Sequence, residues 1–293
     1  MLVVDDLRFS YPGASSRHGG GETLAGLSFE VQEGEVFGFL GPNGAGKSTT
    51  QNLLIGVLQG YRGSAQAFGR EIRDWGSELY ERIGVAFEVP NHFARLTARE
   101  NLEYFAKLHP GATETVDDVL DQVGLGDQAE VQVGRFSKGM KHRLTYARAV
   151  LHRPKLLFLD EPTSGLDPAN AHNLKNLIRE QRERGTTIFL TTHNMADAEE
   201  LCDRLALIVE GQLRAIDTPA DLRLRHGERR VRLEVGPVEG GSGGVEIHEF
   251  PLDGLGENTE FLRLLRERPI HTLHSQEPSL EQVFLELTGR SLS

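Results

Sequence analysis

Short apolar runs recur along the chain and are separated by longer stretches with helical periodicity. Runs of this length without polar positions are typical of strands in a parallel sheet that is covered on both faces. Such strands are predicted at 36–40, 83–87, 155–160, 186–191 and 205–210, after two earlier strands at 2–9 and 27–31. Helices are predicted at 49–58, 97–108, 113–125, 168–184 and 194–202. The alternation predicts an α/β fold with a parallel-sheet core.

The segment from Gly41 to Thr49 reads GPNGAGKST and fits the phosphate-binding pattern G-x-x-x-x-G-K-[ST] between a predicted strand and a predicted helix. Its backbone amides and the following helix N-terminus are expected to bind phosphates. Lys47 is expected to reach the β- and γ-phosphates, and the Ser48 hydroxyl to bind Mg²⁺. The nucleotide-binding residues predicted here are Gly41, Pro42, Asn43, Gly44, Ala45, Gly46, Lys47, Ser48 and Thr49.

Two carboxylates end the later apolar strand LLFLD, in the sequence LLFLDEP at 156–162. Parallel strands present their carboxyl ends at one edge of a sheet, where ligands bind in open α/β folds. We therefore expect Asp160 to hold Mg²⁺ and Glu161 to orient and deprotonate the water that attacks the phosphate.

Three further segments complete a resemblance to the nucleotide-binding subunits of ATP-binding cassette (ABC) transporters, which covers roughly residues 1–220. SGLDP at 164–168 resembles the D-loop with Asp167 as its acid, and TTHNM supplies His193 as the switch histidine that contacts the γ-phosphate. FSKGMKHRL at 136–144 occupies the signature position. The resemblance implies P-loop ATPase activity with ATP and Mg²⁺, an N-terminal antiparallel β subdomain and a helical signature subdomain at about 89–151.

The resemblance also implies an assembly, in which the signature closes on the nucleotide of a second copy in a head-to-tail dimer. Ser137, Lys138, Gly139 and Met140 are the residues that would enclose that nucleotide, since they open a helix whose N-terminus favours anions. Tyr11 matches the aromatic residue that stacks on adenine. Separate integral-membrane permease subunits are the other implied partners.

Two positions depart from the family pattern. Glu88 stands where a glutamine usually contacts Mg²⁺, and either ligates the ion itself or is a solvated acid. Lys138 replaces the first glycine of the usual L-S-G-G-Q, and either approaches a γ-phosphate or points into water. The S-K-G-M signature and the segment EPSLEQVFLELTGR at 277–290 resemble ABC-2-type exporters of the daunorubicin-resistance-like group.

The pattern changes near residue 221, where alternating strands at 231–235 and 245–250 are followed by helices at 257–268 and 278–288. We therefore predict an ATP-binding cassette at 1–220 and a small α+β accessory domain at 221–293.

Composition narrows the choice of function. The net charge of −11 argues against a nucleic-acid groove, and the single cysteine, Cys202, excludes a cysteine-based zinc site and an intrachain disulfide. No signal peptide and no apolar run of about 18 residues is present, so we expect a cytoplasmic protein attached to the membrane through the permease. An ABC importer subunit stays open as an alternative, as does a soluble ABC ATPase acting on nucleic acid. A function as a P-loop kinase or GTPase would not explain the signature segment at 136–144.

Overall fold

The computed structural model describes residues 1–12, 22–109, 111, 113–226, 229–237, 244–276 and 278–289. The chain forms two compact units, Met1–Thr218 and Pro219–Ser291. The sequence also predicts a Gly/Ser-rich turn at 13–21 and a flexible connection at 236–244; the turn, residues 238–243 of the connection and both ends of the segment 277–290 lie outside the described residues.

The strands of the first unit include every strand predicted there, with shifts of one to three residues at some ends. They are β1 (Leu2–Phe9), β2 (Leu24–Val31), β3 (Val36–Leu40), β4 (Arg62–Ala67), β5 (Arg70–Glu71), β6 (Ile83–Ala86), β7 (Leu156–Asp160), β8 (Thr187–Thr192), β9 (Arg204–Val209) and β10 (Gln212–Asp217). Its helices are α1 (Lys47–Leu54), α2 (Ala98–Ala106), α3 (Val116–Gln122), α4 (Lys138–Val150), α5 (Pro168–Glu183) and α6 (Met195–Leu201).

The central sheet has the order β10-β9-β3-β8-β7-β6, and β3, β6, β7, β8 and β9 run parallel. Every residue of β3, β7 and β8 is buried, which explains their continuously apolar sequences. The parallel register brings Leu40 beside Thr192 and Asp160 beside Thr191, so the carboxyl ends of three strands meet at one edge. The predicted parallel α/β core is confirmed.

A second, antiparallel sheet with the order β2-β1-β4-β5 packs its apolar side chains into the same core as β3 and β8. This sheet is the N-terminal β subdomain that the resemblance implies. The hydrophobic pattern missed β4, because its sequence RGSAQA offers only small side chains to the core, and Ala65 and Ala67 are its buried residues.

The region between β6 and β7 contains α2, α3 and α4, in agreement with the predicted helical stretch. Each helix begins at a hydroxyl side chain that accepts a hydrogen bond from a backbone amide three residues later: Thr97, Thr115 and Ser137. Thr97 and Glu100 form a reciprocal capping box. Among the described residues, no helix is long and apolar enough to cross a membrane.

The second unit comprises α7 (Pro219–His226), β11 (Arg230–Val235), β12 (Glu246–Pro251), α8 (Thr259–Glu267), β13 (Ile270–Gln276) and α9 (Leu280–Thr288). Its antiparallel sheet has the order β12-β11-β13, and its small core consists of Val231, Leu233, Val235, Phe250, Phe261 and Leu264. The sequence missed β13, because most side chains of IHTLHSQ are exposed and carry no apolar alternation.

Candidate functional site

The phosphate-binding loop turns tightly between β3 and α1. Gly44 and Gly46 have φ angles of +79° and +108°, the left-handed region that glycine tolerates. A Cβ on Gly46 would lie 2.7 Å from Leu24 Cδ2, so the position also lacks room for a side chain. Helix α1 begins directly afterwards, and no side chain in the described part of the chain caps its first amides. These N–H groups therefore remain available to an anion.

Lys47 is buried at the first turn of α1 with its ammonium held by three groups. Its Nζ donates to the carbonyl of Gly41 at 2.6 Å and lies 3.4 Å from that of Pro42. It also lies 3.2 Å from Glu161 Oε1, and both side chains are less than a tenth exposed. The opposed charges compensate each other's loss of water, which makes this a buried ion pair at the loop.

Glu161 links that lysine to the end of a neighbouring strand. It follows β7 with a φ angle of +47°, which is strained for a residue with a side chain. Its Oε2 lies 2.8 Å from Nδ1 of His193 and accepts a hydrogen bond from the His193 amide at 3.2 Å. One carboxylate therefore joins Lys47 to His193, and the strained backbone at Glu161 fixes where that carboxylate points.

Asp160 lies one residue earlier, at the last position of β7. Its Oδ1 accepts a hydrogen bond from the Thr191 hydroxyl of β8. Burial raises the pKa of Asp160, an effect that the Thr191 hydrogen bond opposes and the nearby Glu161 carboxylate reinforces. The carboxyl is thus a buried group whose charged form gains from a nearby cation.

The loop, Glu161 and His193 line a cavity of about 480 Å³, whereas Asp160 is not among the described residues of its lining. Its lining comprises Tyr11, Thr23, Pro42, Asn43, Gly44, Gly46, Lys47, Ser48, Thr49, Glu88, Glu161, Ser164 and His193. The Tyr11 hydroxyl lies 3.1 Å from Thr49 Oγ1, and its ring meets Phe9 edge-on with centroids 5.0 Å apart. The cavity therefore brings Tyr11 together with most of the predicted phosphate-binding residues, although Gly41 and Ala45 are not among the described residues of its lining.

The signature residues lie elsewhere on the first unit. Ser137 caps α4 by accepting a hydrogen bond from the Met140 amide at 3.2 Å, and Asp167 caps α5 in the same way. Neither these residues nor Lys138 and Gly139 are among the described residues that line the loop cavity. Within one chain, the predicted site is thus divided into a phosphate-binding part and a separate helix N-terminus.

Sequence reasoning missed three residues of this site. Thr191 orients Asp160, while Thr23 and Ser164 line the cavity. A signal for Thr191 was present, because TIFLTT places polar residues at the end of a buried strand that runs parallel to β7. Thr23 comes from a distant segment, and nothing in its local sequence marks it.

The donors near the cavity suit a magnesium ion. Ser48, Glu88 and Asp160 offer hard oxygen atoms, and Mg²⁺ is usually bound by one or two carboxylates, water and substrate phosphates rather than by an all-protein cage. In keeping with this, the described residues contain no cluster of three or more acids, histidines or cysteines arranged to hold a metal by themselves.

Together, the nucleotide loop, the paired carboxylates and the capped signature helix define a P-loop ATPase of the cassette type. The family described as ABC transporter matches residues 24–164, and the family described as the fluoroquinolone efflux ABC transporter C-terminal domain matches residues 229–277.

Curated relatives extend the match over the whole chain. The fluoroquinolones export ATP-binding protein of Mycobacterium tuberculosis (strain H37Rv) is 50% identical, covering 100% of this chain and 95% of the relative. The linearmycin resistance ATP-binding protein of Bacillus subtilis (strain 168) is 34% identical, covering 100% and 99%. A solved structure of an ABC transporter ATP-binding subunit is 30% identical with a TM-score of 0.68, covering 78% of this chain and 93% of that one.

The chain belongs to the family of ABC transporter ATP-binding subunits. As a member it binds ATP and hydrolyses it to drive transport, and its relatives named for export place it with the exporter subunits. The predicted resemblance and the predicted ATPase activity are confirmed.

Proposed function

We propose that this chain is the Mg²⁺-dependent ATPase of a fluoroquinolone-type exporter, with a cassette at 1–220 and an accessory domain at 221–293. The observation that carries the ATPase mechanism is the chain of contacts beside the loop cavity, which runs from the buried Lys47 through the buried Glu161 to His193. The proposed contacts with ATP are phosphate binding by Gly41, Pro42, Asn43, Gly44, Ala45, Gly46, Lys47, Ser48 and Thr49, and adenine stacking by Tyr11.

Glu161 is the proposed general base. Its carboxylate lies between the two side chains expected at the γ-phosphate, Lys47 and His193, so a water on that phosphate would come within its reach. Triphosphate oxygens compete with Glu161 for the Lys47 ammonium, and nucleotide binding then frees the carboxylate to accept a proton. His193 holds Glu161 and contacts the γ-phosphate.

Ser48 and Asp160 are the proposed magnesium ligands, with Glu88 at the edge of the same site. When bound, the ion neutralises charge that develops on the phosphates. Thr191 supports this role, since its hydroxyl fixes one oxygen of Asp160 and leaves the other for the ion or its water.

Two copies of the chain are proposed to assemble head to tail, so that Ser137, Lys138, Gly139, Met140 and Asp167 of each complete the nucleotide site of the other. The separation of α4 from the loop cavity supports this arrangement. Each dimer works on separate integral-membrane permease subunits and is held by them at the cytoplasmic face of the membrane.

The substrate class rests on similarity that includes the second unit. The relative named for fluoroquinolones aligns with the entire chain, and the C-terminal family match falls on β11 to β13. We infer an exported compound of the same chemical type, a planar aromatic molecule bearing a carboxylate, recognised by the permease.

The ATPase mechanism is tested with Glu161→Gln, which keeps the shape of the side chain and removes the base. Turnover is expected to fall by about 10³-fold while ATP binding persists, and the variant should accumulate as an ATP-bound dimer. Glu103→Gln, an exposed change on α2, is the matched control and should hydrolyse ATP normally. Normal turnover by Glu161→Gln would show that another group is the base.

Transport is tested by expressing the full chain with the integral-membrane protein that copurifies with it. Cells with the wild-type chain should accumulate less fluoroquinolone than cells with Glu161→Gln. ATP-dependent efflux of other compounds without any change in fluoroquinolone would contradict the substrate class and leave the ATPase role intact.

A further inference from the structure

The two positions that depart from the family pattern, Glu88 and Lys138, contact consecutive residues of one turn. Glu88 Oε1 accepts a hydrogen bond from the Ser164 hydroxyl at 3.5 Å. The Lys138 ammonium lies directly against Gly165, where it occupies the space that a Cβ would take. An acid from the loop after β6 and a base from the start of α4 thus meet Ser164 and Gly165 of the same chain.

The turn at Ser164 and Gly165 is attached to the proposed base. The Ser164 amide donates to the carbonyl of Glu161 at 3.1 Å, and Ser164 itself lines the loop cavity. Gly165 has a φ angle of +63°, which glycine tolerates, and the Lys138 ammonium rests on it. The turn is therefore hydrogen-bonded to the backbone of the residue whose side chain is the proposed base.

The charges of Glu88 and Lys138 both act on the buried side chain of His142. It lies one helical turn after Lys138, is 5% exposed, and its Nε2 has no hydrogen-bond partner among the described residues. Burial lowers the pKa of His142, the Lys138 charge lowers it further, and the Glu88 carboxylate opposes both. Both charged groups are thus close enough to act on one buried ring beside the carbonyl of Pro162.

We propose that Glu88 and Lys138 form a charge-matched bridge over Ser164 and Gly165, and that this bridge positions Glu161 for hydrolysis. The two departures then compensate each other in charge. The negative carboxylate of Glu88 replaces the usual amide, and the positive ammonium of Lys138 replaces the usual glycine. Within their own chain both act as positioning residues through this turn, in addition to the roles proposed above for Lys138 at the nucleotide of the second copy and for Glu88 at the magnesium site. This inference rests on the proposed role of Glu161.

A double-mutant cycle on the full-length chain tests the bridge, using Glu88→Gln, Lys138→Gly and the two together. Each single change leaves one charge unmatched at the turn, and should lower kcat about fivefold with little change in the KM for ATP. The double variant restores the pairing that is usual in the family, and should return to within about twofold of the wild-type kcat. Glu88→Asp with Lys138→Arg keeps both charges and should retain most of the activity.

The proposal would be overturned if kcat of the double variant fell by the product of the two losses measured for the single variants. The bridge would also be overturned if Lys138→Gly raised the KM for ATP equally with and without the Glu88→Gln change and left kcat unaltered, because the lysine would then act only on the nucleotide. Urea unfolding of all variants checks that folding is unchanged. Glu161→Gln is measured in parallel to separate the two proposals. Its turnover tests whether Glu161 is the base, and the double-mutant cycle tests whether Glu88 and Lys138 are coupled.

Discussion

Two helix N-termini of the first unit, those of α1 and α4, are proposed to bind phosphate, and they differ in how their backbone amides are satisfied. Helix α1 begins after Gly46 without a side-chain cap from the described residues, and its first lysine is buried. Helix α4 begins after Ser137, whose hydroxyl accepts the hydrogen bond of the Met140 amide, and its first lysine is exposed. No side chain of the described residues therefore caps the N-terminal amides of α1, whereas one N-terminal amide of α4 is hydrogen-bonded to the Ser137 hydroxyl.

The difference follows from what each N-terminus faces. At α1 the charge of the lysine is paired within the chain, since Lys47 forms an ion pair with Glu161 where the ends of three strands meet. At α4 the first lysine is exposed and rests on the turn at Ser164 and Gly165. The phosphate-binding loop is therefore preorganised by contacts within the chain, whereas the signature residues lie outside the described lining of the loop cavity and are proposed to meet a nucleotide only in the dimer.

The largest expected effect on stability separates the two lysines. Lys47→Met leaves Glu161 buried without its partner and should lower the free energy of unfolding by about 3 kcal/mol. Lys138→Met removes an exposed charge and should cost less than about 0.5 kcal/mol. Urea unfolding without nucleotide measures both. Equal losses would show that the second N-terminus is as tightly integrated as the first.

Two glycines of the phosphate-binding loop, Gly41 and Gly44, differ in the space available for a side chain. A Cβ on Gly41 would overlap the backbone carbonyl of Ile208, which cannot move aside cheaply, so Gly41→Ala should lower the free energy of unfolding by about 2 kcal/mol. A Cβ on Gly44 meets no described atom within 4 Å, and Gly44→Ala should cost only about 1 kcal/mol for its positive φ. A larger loss at Gly44 than at Gly41 would contradict the packing described for this loop.

Removing one hydroxyl at each N-terminus sharpens the contrast. Ser137→Ala deletes the cap of α4 and should destabilise the chain by about 1 kcal/mol. Ser48 does not cap α1, so Ser48→Ala should leave stability nearly unchanged while ATP hydrolysis falls, because the proposed magnesium ligand is lost. The measurements are urea unfolding and Mg²⁺-dependent turnover. A Ser137→Ala variant as stable as the wild type would mean that the cap contributes little.

The smallest expected effect is a pH dependence at α4. Burial lowers the pKa of His142 below its usual 6.5, so the unfolded chain binds a proton more readily than the folded one. The resulting stability is present above pH 6.5 and is lost as the pH falls through the lower folded pKa. Between about pH 7 and 5, His142→Gln should flatten the decline in the free energy of unfolding, measured by urea unfolding in EDTA. An unchanged slope would exclude His142 as its source.

The fold was largely predictable because its buried strands are short, continuously apolar and punctuated by motifs. LLFLD and VFGFL have no polar face, and only a covered sheet can accommodate them. Four strands were not predicted, namely β4, β5, β10 and β13. Their side chains are small, exposed or only half-buried, so their position depends on pairing with other strands rather than on local hydrophobicity.

The sequence alone determined the phosphate-binding loop, the two carboxylates and the signature, because each is a local pattern whose chemistry depends on neighbouring residues. Only the tertiary structure decided which of them meet. It brought Lys47, Glu161 and His193 into contact across three strands, assigned Thr191 to Asp160, and placed Glu88 and Lys138 on the same turn. These contacts join residues far apart in the chain, and the register of the sheet and the packing of α4, which no local pattern encodes, set their distances.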